Sequence, residues 1–451
     1  MPRAGERLTV RFTGLTIDGA AIARVGPATV SVPFGVPGED ALVEVTRGGR
    51  RAEGRLVALL RKSADVTPAR CQHFGRCGGC QWQHLIPDAQ RRLKTRLVRD
   101  FLKEHAGLRR DLVAETVGGE AWAYRSVLRA TVATREGRAV VGFHTAGGTR
   151  VVDVAACPVQ HPANEAILHA VRRAVRGLRW PPYDRTTGQG LVRGVLGLAA
   201  FATGEALLVV STARALPDPT ALVHALIDRV PGLVGILHTI QPAPTLELLG
   251  KRVRLLWGRA YIEDEVAGYR LRLRSDGDLP PNPGALRLLL DAIVRLAAPG
   301  PRDAVLDLHA STPLPALALA GQAQVATGLV PGRRLLEDYR AAAASNGVPN
   351  AVFVAGDPVR YLARLTARGR TPQVVLAESR GVGLEPALVA AVAGCGVPRV
   401  VSVTRSLAAC AHDLAAWQRA GYRVEHLQPV DLLPHTSHVH VVASLHRIAR
   451  T

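Results

Sequence analysis

A chain of 451 residues with 47% hydrophobic content is too long for one core and points to two to four domains. Its Lys and Arg outnumber Asp and Glu by 57 to 37, and a net charge of +20 suits a polyanionic partner, most plausibly nucleic acid. No stretch of 18 apolar residues is free of charge, which excludes a hydrophobic transmembrane helix, and the opening MPRAGERLTVRF lacks the apolar core of a signal peptide. A cytoplasmic protein with reduced thiols and no membrane partner is expected, in which clustered cysteines signal metal rather than disulfides.

Residues 1–62 read as short strands. RLTVRFTGLT, GAAIARVG, ATVSVPFGVPGEDALVEVTRG and RAEGRLVALL alternate or run apolar, with Gly and Pro between them. About five such strands suit a small barrel of the oligonucleotide-binding type. Arg24, Arg47, Arg50, Arg51, Arg55, Arg61 and Lys62 give it a basic rim.

Next comes CQHFGRCGGCQWQH, residues 71–84, which holds three of the six cysteines. Gly78 and Gly79, between Cys77 and Cys80, let the backbone bend round a bulky group. A fourth thiol is available from Cys157 in DVAACPVQHPANEAI, while His73, His84 and His161 keep zinc open. Spacing alone leaves zinc and an iron–sulfur cluster level.

PDAQRRLKTRLVRDFLKEHAGL, residues 87–108, predicts a basic helix with Leu93, Leu97, Val98 and Leu102 on one stripe. Strands follow over 124–156, then a mixed α/β region to about 270 that contains a long-stranded hairpin in RTTGQGLVRGVLGLAAFATGEALLVVST. PPNPG at 280–284 breaks the chain before a helix over 285–298. From 301 the pattern turns to βαβ: AVLDLH, AQVATGLV, AVFVAGD, QVVLAES and RVVSVT are strands separated by helices, and HVHVVASLHR closes. That rhythm predicts a mostly parallel sheet, with its ligand crevice beyond the carboxyl ends of the strands, after Leu308, Leu329, Leu376 and Val403.

The segment CQHFGRCGGCQWQHLIPDAQRRLKTRLV resembles the cluster-binding signature of the bacterial RNA uracil-5-methyltransferases. GVPGEDALVEV, YRSVLRATVATREGRAVVGFH, VVDVAACPVQHPANEAI, GILHTIQPAPTLELLGKRVRLLWGR and GYRVEHLQPVDLLPHTSHVHVVASL extend the likeness along nearly the whole chain. The resemblance implies a multidomain α/β protein in three parts. Residues 1–62 would form an OB-like TRAM barrel that binds RNA, 63–270 a central α+β iron–sulfur domain, and 271–451 a Rossmann-like methyltransferase domain. It also implies a 4Fe–4S cluster on Cys71, Cys77, Cys80 and Cys157, with Arg125 and Arg129 near a structured rRNA or tRNA, and S-adenosylmethionine as the family's methyl donor. The oligomeric state is not implied.

Uracil chemistry needs a thiolate that adds to carbon 6, a base that removes the carbon 5 proton, and a flipped-out or single-stranded base. The sequence departs from the family pattern at these places. The cofactor loop D-L-Y-C-G-V-G-T-F is DLHASTPLP, residues 307–315, so Ser311 and Pro313 replace both glycines. The ribose-binding acid falls on Val330 and the Gln of F-x-Q-x-N on Pro280, with Asn282 kept. D-P-P-R becomes AESR, keeping Arg380. Arg405 stands where the nucleophilic Cys belongs and His440 where the basic Glu belongs. Cys395 and Cys410 read as buried small hydrophobes. Asp357 remains where the family contacts adenine. The expectation is therefore an RNA-binding iron–sulfur member of the family with methyl transfer impaired or lost and no catalytic residue assigned. An active S-adenosylmethionine-dependent enzyme with an altered pocket is the alternative, and a redox-sensing cluster protein is a third reading.

Overall fold

The computed structural model describes residues 1–278, 281–379 and 381–449. At the N-terminus β1 (Arg7–Leu15), β2 (Ala21–Val25), β3 (Ala28–Val32), β4 (Asp40–Arg47) and β5 (Arg51–Arg61) close into a barrel in the order β1-β2-β3-β5-β4. Period-two alternation puts Ala28, Val30 and Val32 of β3 and Ala41, Val43 and Val45 of β4 inside, around Phe12.

The cysteine segment leads into α1 (Pro87–Ala106). Proline occupies its first turn, and Gly107 ends it in the left-handed region at φ 64°. Leu97, Val98 and Leu102 of its apolar stripe are buried with Leu414 and Trp417, far along the chain, whereas Leu93 turns toward Trp82 and Leu85. After it comes the short β6 (Val117–Gly118).

A second sheet is built from β7 (Val127–Arg135), β8 (Arg138–His144), β9 (Val151–Asp153), β10 (Val192–Ala199), β11 (Ala206–Thr212), β12 (Leu233–Ile240) and β13 (Val253–Gly258), in the order β13-β12-β11-β10-β7-β8-β9. The helices α2 (Pro162–Gly177) and α3 (Pro219–Leu226) share one hydrophobic core with it. The central β10 is buried along its whole length. The hairpin expected from the sequence is β10–β11, and its partner β12 runs parallel to β11 because α3 carries the chain across. A two-stranded ribbon follows, β14 (Tyr261–Val266) and β15 (Tyr269–Arg274), and β15 spans the division expected at 270/271.

The C-terminal part interleaves α4 (Pro283–Ala297), β16 (Ala304–Asp307), α5 (Leu314–Ala320), β17 (Val325–Val330), α6 (Arg333–Ser345), β18 (Ala351–Ala355), α7 (Pro358–Ala367), β19 (Val374–Ser379), α8 (Pro386–Gly394), β20 (Arg399–Thr404), α9 (Leu407–Arg419), β21 (Tyr422–Asp431) and β22 (His440–Arg447). Its sheet runs β18-β17-β16-β19-β20-β22-β21-β6, parallel from β18 to β20, and its strand order reverses at β16. Ligand crevices form at such a reversal. The last sheet position is filled by β6, and α1 packs on α9, so a segment expected in the central domain completes the C-terminal one. The reason is chemical as well as apolar: the fully buried Lys94 of α1 donates to Asp431 at the end of β21 across 2.5 Å.

His435 ties these parts together. Its backbone sits in the left-handed region at φ 67°, and its carbonyl accepts from the amides of Gln81 and Trp82 in the cysteine segment. Its ring donates from Nε2 to the Ala121 carbonyl, which leaves Nδ1 to accept from Gln90 of α1. Trp82 in turn donates to the Gly19 carbonyl of the barrel.

Candidate functional site

Two concave regions collect the residues singled out by sequence. The first is a cavity of about 330 Å³ lined by Cys71, Cys77, Cys80 and Cys157 together, with His73, Arg125 and Arg129 in its wall. Three of the thiols come from one loop and the fourth from the turn before α2. The loop is pinned at Gly78, whose amide donates to the His144 carbonyl of β8. A Cβ at Gly78 would come within 2.9 Å of the Ala146 amide nitrogen, so this close approach needs glycine.

Three of the sulfurs accept an N–H. Cys71 takes one from the His73 amide (3.4 Å), Cys77 from the Gly79 amide (3.5 Å) and Cys80 from the Gln83 side chain (3.3 Å). Such donors favour sulfur carrying negative charge. Burial works the other way and pushes Cys80 up to about 11 and Cys157 to about 12, with the neighbouring cysteines adding to it. His73 is buried with neither ring nitrogen partnered. Arg125, whose Nε donates to the Val127 carbonyl, places a cation beside the thiols. Among the described residues, no three His, Cys, Asp or Glu side chains converge closely enough to hold a single metal ion. His84 and His161 lie outside the cavity lining; His161 instead caps α2.

The second region is the crevice at the carboxyl ends of β16, β19 and β20, of about 240 Å³. Arg405, just past β20, is held between two acids: it donates to Asp278 at 2.5 Å and to Glu378 of β19 at 2.6 Å. Both carboxylates stabilise the cation, so the guanidinium loses its proton even less readily than usual. Ser311 donates to the other oxygen of Glu378, and its carbonyl accepts from Tyr339, so the loop after β16 is tied to the same cluster. His440 lines the crevice with Nδ1 unpartnered. Burial, with Arg405 and Lys94 adding, pushes its imidazole down to about 3. A ring that gives up its proton so easily is a weak base at neutral pH.

Val330 is fully buried and stands outside the crevice lining. Asp357 lies away from the crevice too, capping α7 by accepting from the Arg360 amide. Pro313 opens α5 without an amide proton to offer. Asn282 is buried and caps α4 through the Ala285 amide. Cys395 and Cys410 are buried away from both cavities, as expected of small hydrophobes. Pro280 and Arg380 lie outside the described residues. Sequence reasoning did not find Asp278, Glu378 or the Gln83 donor. Glu378 carried a signal, an acid at the end of a parallel strand, but a partner 27 residues away is set by the fold.

No family model matches the chain. Its full length is nonetheless similar to proteins named uncharacterized RNA methyltransferases. One from Halalkalibacterium halodurans is 29% identical over 97% of this chain and 96% of its own. One from Caldanaerobacter subterraneus is 29% identical over 99% of each chain. Among solved structures, the Pyrococcus abyssi tRNA (uracil-54, C5)-methyltransferase in complex with S-adenosyl-L-homocysteine shares the fold, with a TM-score of 0.75 and 20% identity over 97% of this chain and 99% of that one. The C-terminal sheet thus has the Rossmann-like methyltransferase fold, with the closed five-stranded barrel at the other end of the chain. No helix among the described residues is long and apolar enough to cross a membrane.

Proposed function

We propose that this chain is an RNA-binding, cluster-containing relative of the uracil-5-methyltransferases that does not transfer methyl groups. The observation that carries the reading is Arg405, clamped by Asp278 and Glu378 at the position where the family places its nucleophile. A guanidinium has no accessible deprotonated form and cannot add to a pyrimidine. No thiol lines the crevice to replace it, and His440 is too weak a base to take the carbon 5 proton. The crevice volume is also below the roughly 300–1,000 Å³ usual for ligand pockets. With Asp357 turned to helix capping and Val330 buried, the residues do not compose a cradle for S-adenosylmethionine.

Cys71, Cys77, Cys80 and Cys157 suit a 4Fe–4S cluster better than zinc. A single ion needs every ligand about 2.0–2.3 Å from one point, whereas a cluster spreads four thiolates round a wide cavity such as this one. When bound it would supply positive charge that offsets thiolate burial, and it would cross-link the 71–80 loop to the segment before α2. Arg125 and Arg129 in the same wall give a polyanion a place beside it. Structured RNA, ribosomal or transfer, is the partner proposed.

The test uses purified full-length protein isolated without air. Labelled S-adenosylmethionine with unmodified bacterial RNA should give no methyl incorporation above an RNA-free control. RNA affinity should fall steeply with salt. RNA-dependent incorporation would establish the active enzyme instead. Zinc without sulfide would overturn the cluster assignment, and RNA affinity that changes when mild oxidation removes the cluster would favour redox sensing.

A further inference from the structure

We propose that the cleft around Arg193, rimmed by Arg76, Arg150 and Arg185, is a second binding site for the phosphodiester groups of an RNA backbone. The proposal rests on the RNA-binding reading above and extends it to a further cleft on the central sheet. The cleft encloses about 780 Å³ and is walled by the β7–β8 hairpin and by segments near Tyr183 and Thr245.

Arg193 of β10 is only 4% exposed. One of its nitrogens, Nη2, donates to the Thr245 carbonyl at 2.6 Å, and the face of Tyr183 lies 4.4 Å from its guanidinium. Among the described residues its Nε and Nη1 have no hydrogen-bond partner and no ion pair joins it to a carboxylate. Removing such a cation from water is costly when nothing neutralises it. The ring of Tyr183 offsets part of that cost. A bound anion would offset the rest.

The rim points the same way. Of the two acids in the cleft, Glu136 is paired with Arg135, and Asp184 accepts from the amides of Thr186 and Thr187. Arg76, Arg150 and Arg185 have no carboxylate partner among the described residues, and Arg76 only donates to the Gln72 carbonyl. A second arginine-lined cleft, beside α1, is the internal contrast. There Arg92, Arg96, Arg99 and Arg110 are each matched to Asp65, Asp100 or Glu115, so that surface is neutralised by its own residues. Of these two clefts, only the one round Arg193 keeps arginines without a carboxylate partner among the described residues.

A polymer fits better than a small anion because this cleft adjoins the four-cysteine cavity. His144, Thr145 and Ala146 form a wall common to both. The wall is stiff: His144 donates from Nδ1 to the Thr149 carbonyl and accepts from Thr131 at Nε2, and Cys77 bridges to Thr145. A backbone leaving Arg125 and Arg129 on one side of that wall meets Arg76 and Arg150 on the other.

The experiment is a salt titration of single-stranded RNA binding to the full-length protein, read by fluorescence anisotropy. Arg150→Ala combined with Arg185→Ala removes two rim charges without disturbing the buried Arg193. Loss of two phosphate contacts should make the log–log salt slope shallower by about 1.4 and weaken binding about 25-fold at 0.1 M salt. Arg92→Ala combined with Arg96→Ala removes equal charge from the neutralised cleft and should leave the slope unchanged. Equal effects of the two pairs, or no effect of the first, would overturn the site while leaving the RNA-binding reading intact. Wild-type protein that fails to bind RNA would overturn both. Millimolar inorganic phosphate at constant ionic strength that erases the difference between wild type and the rim variant would assign the cleft to a free phosphate compound, against the proposal.

Discussion

The four-cysteine cavity and the strand-end crevice differ in how their polar groups are used. In the cavity three of the four sulfurs take one N–H each and keep lone pairs to spare, and His73 has both nitrogens unpartnered. In the crevice the strongest donors and acceptors are joined to one another, Arg405 to Asp278 and Glu378, and Glu378 to Ser311. Satisfied groups stabilise a fold and have little left for a ligand, whereas unsatisfied buried groups cost stability until something arrives. The contrast therefore separates a cavity whose buried groups are left to pair from a crevice whose charged groups pair with one another, His440 excepted.

The largest effect that could break this contrast concerns metal content. Cys77→Ser should lose iron and sulfide together, whereas Cys410→Ser, deep in the C-terminal core, should keep both; elemental and sulfide assays on the two variants decide it. Next comes the buried tie between the regions. Lys94→Met leaves Asp431 charged and unpartnered and should cost about 3–5 kcal/mol, with most of that recovered when Asp431→Leu is added. Chemical denaturation followed by tryptophan fluorescence would measure it.

His435, at the junction, should give an acid-sensitive term. Burial holds its folded pKa near 4, below the ordinary value of 6.5, so the unfolded state binds the proton more readily. Its contribution is complete above about pH 6.5 and is lost as pH falls toward 4, by about 3 kcal/mol. His435→Asn, which tolerates the left-handed backbone, should flatten that slope. The smallest effect sharpens the crevice side. Arg405→Met leaves the mostly buried Asp278 and Glu378 without their shared cation and should cost about 2 kcal/mol. Methyl incorporation should stay at background.

Much of the fold was legible because local periodicity and local contacts agree. The barrel strands alternate, the βαβ rhythm sets the parallel sheet, and three clustered cysteines mark their own cavity. What escaped was set by distance. The pattern of α1 showed an apolar stripe but not that α9 would cover it, and a two-residue strand such as β6 has no period to read. The Arg405 cluster joins residues up to 127 apart, and its acids look like any solvated charge until the sheet assembles. Arg193 was hidden for the opposite reason: in sequence it sits in an apolar run that predicts a strand and nothing more.

The Lys94–Asp431 link spans 337 positions. During synthesis α1 leaves the ribosome long before the strand it will clasp, so its basic, half-apolar surface must wait almost to the last residues for its seat. The closing half of the chain, produced alone, would lack both that helix and its edge strand, and would show bare hydrocarbon where Leu97 and Leu102 belong. Docking of α1 on the C-terminal sheet is thereby a late event, since Lys94 must wait for Asp431.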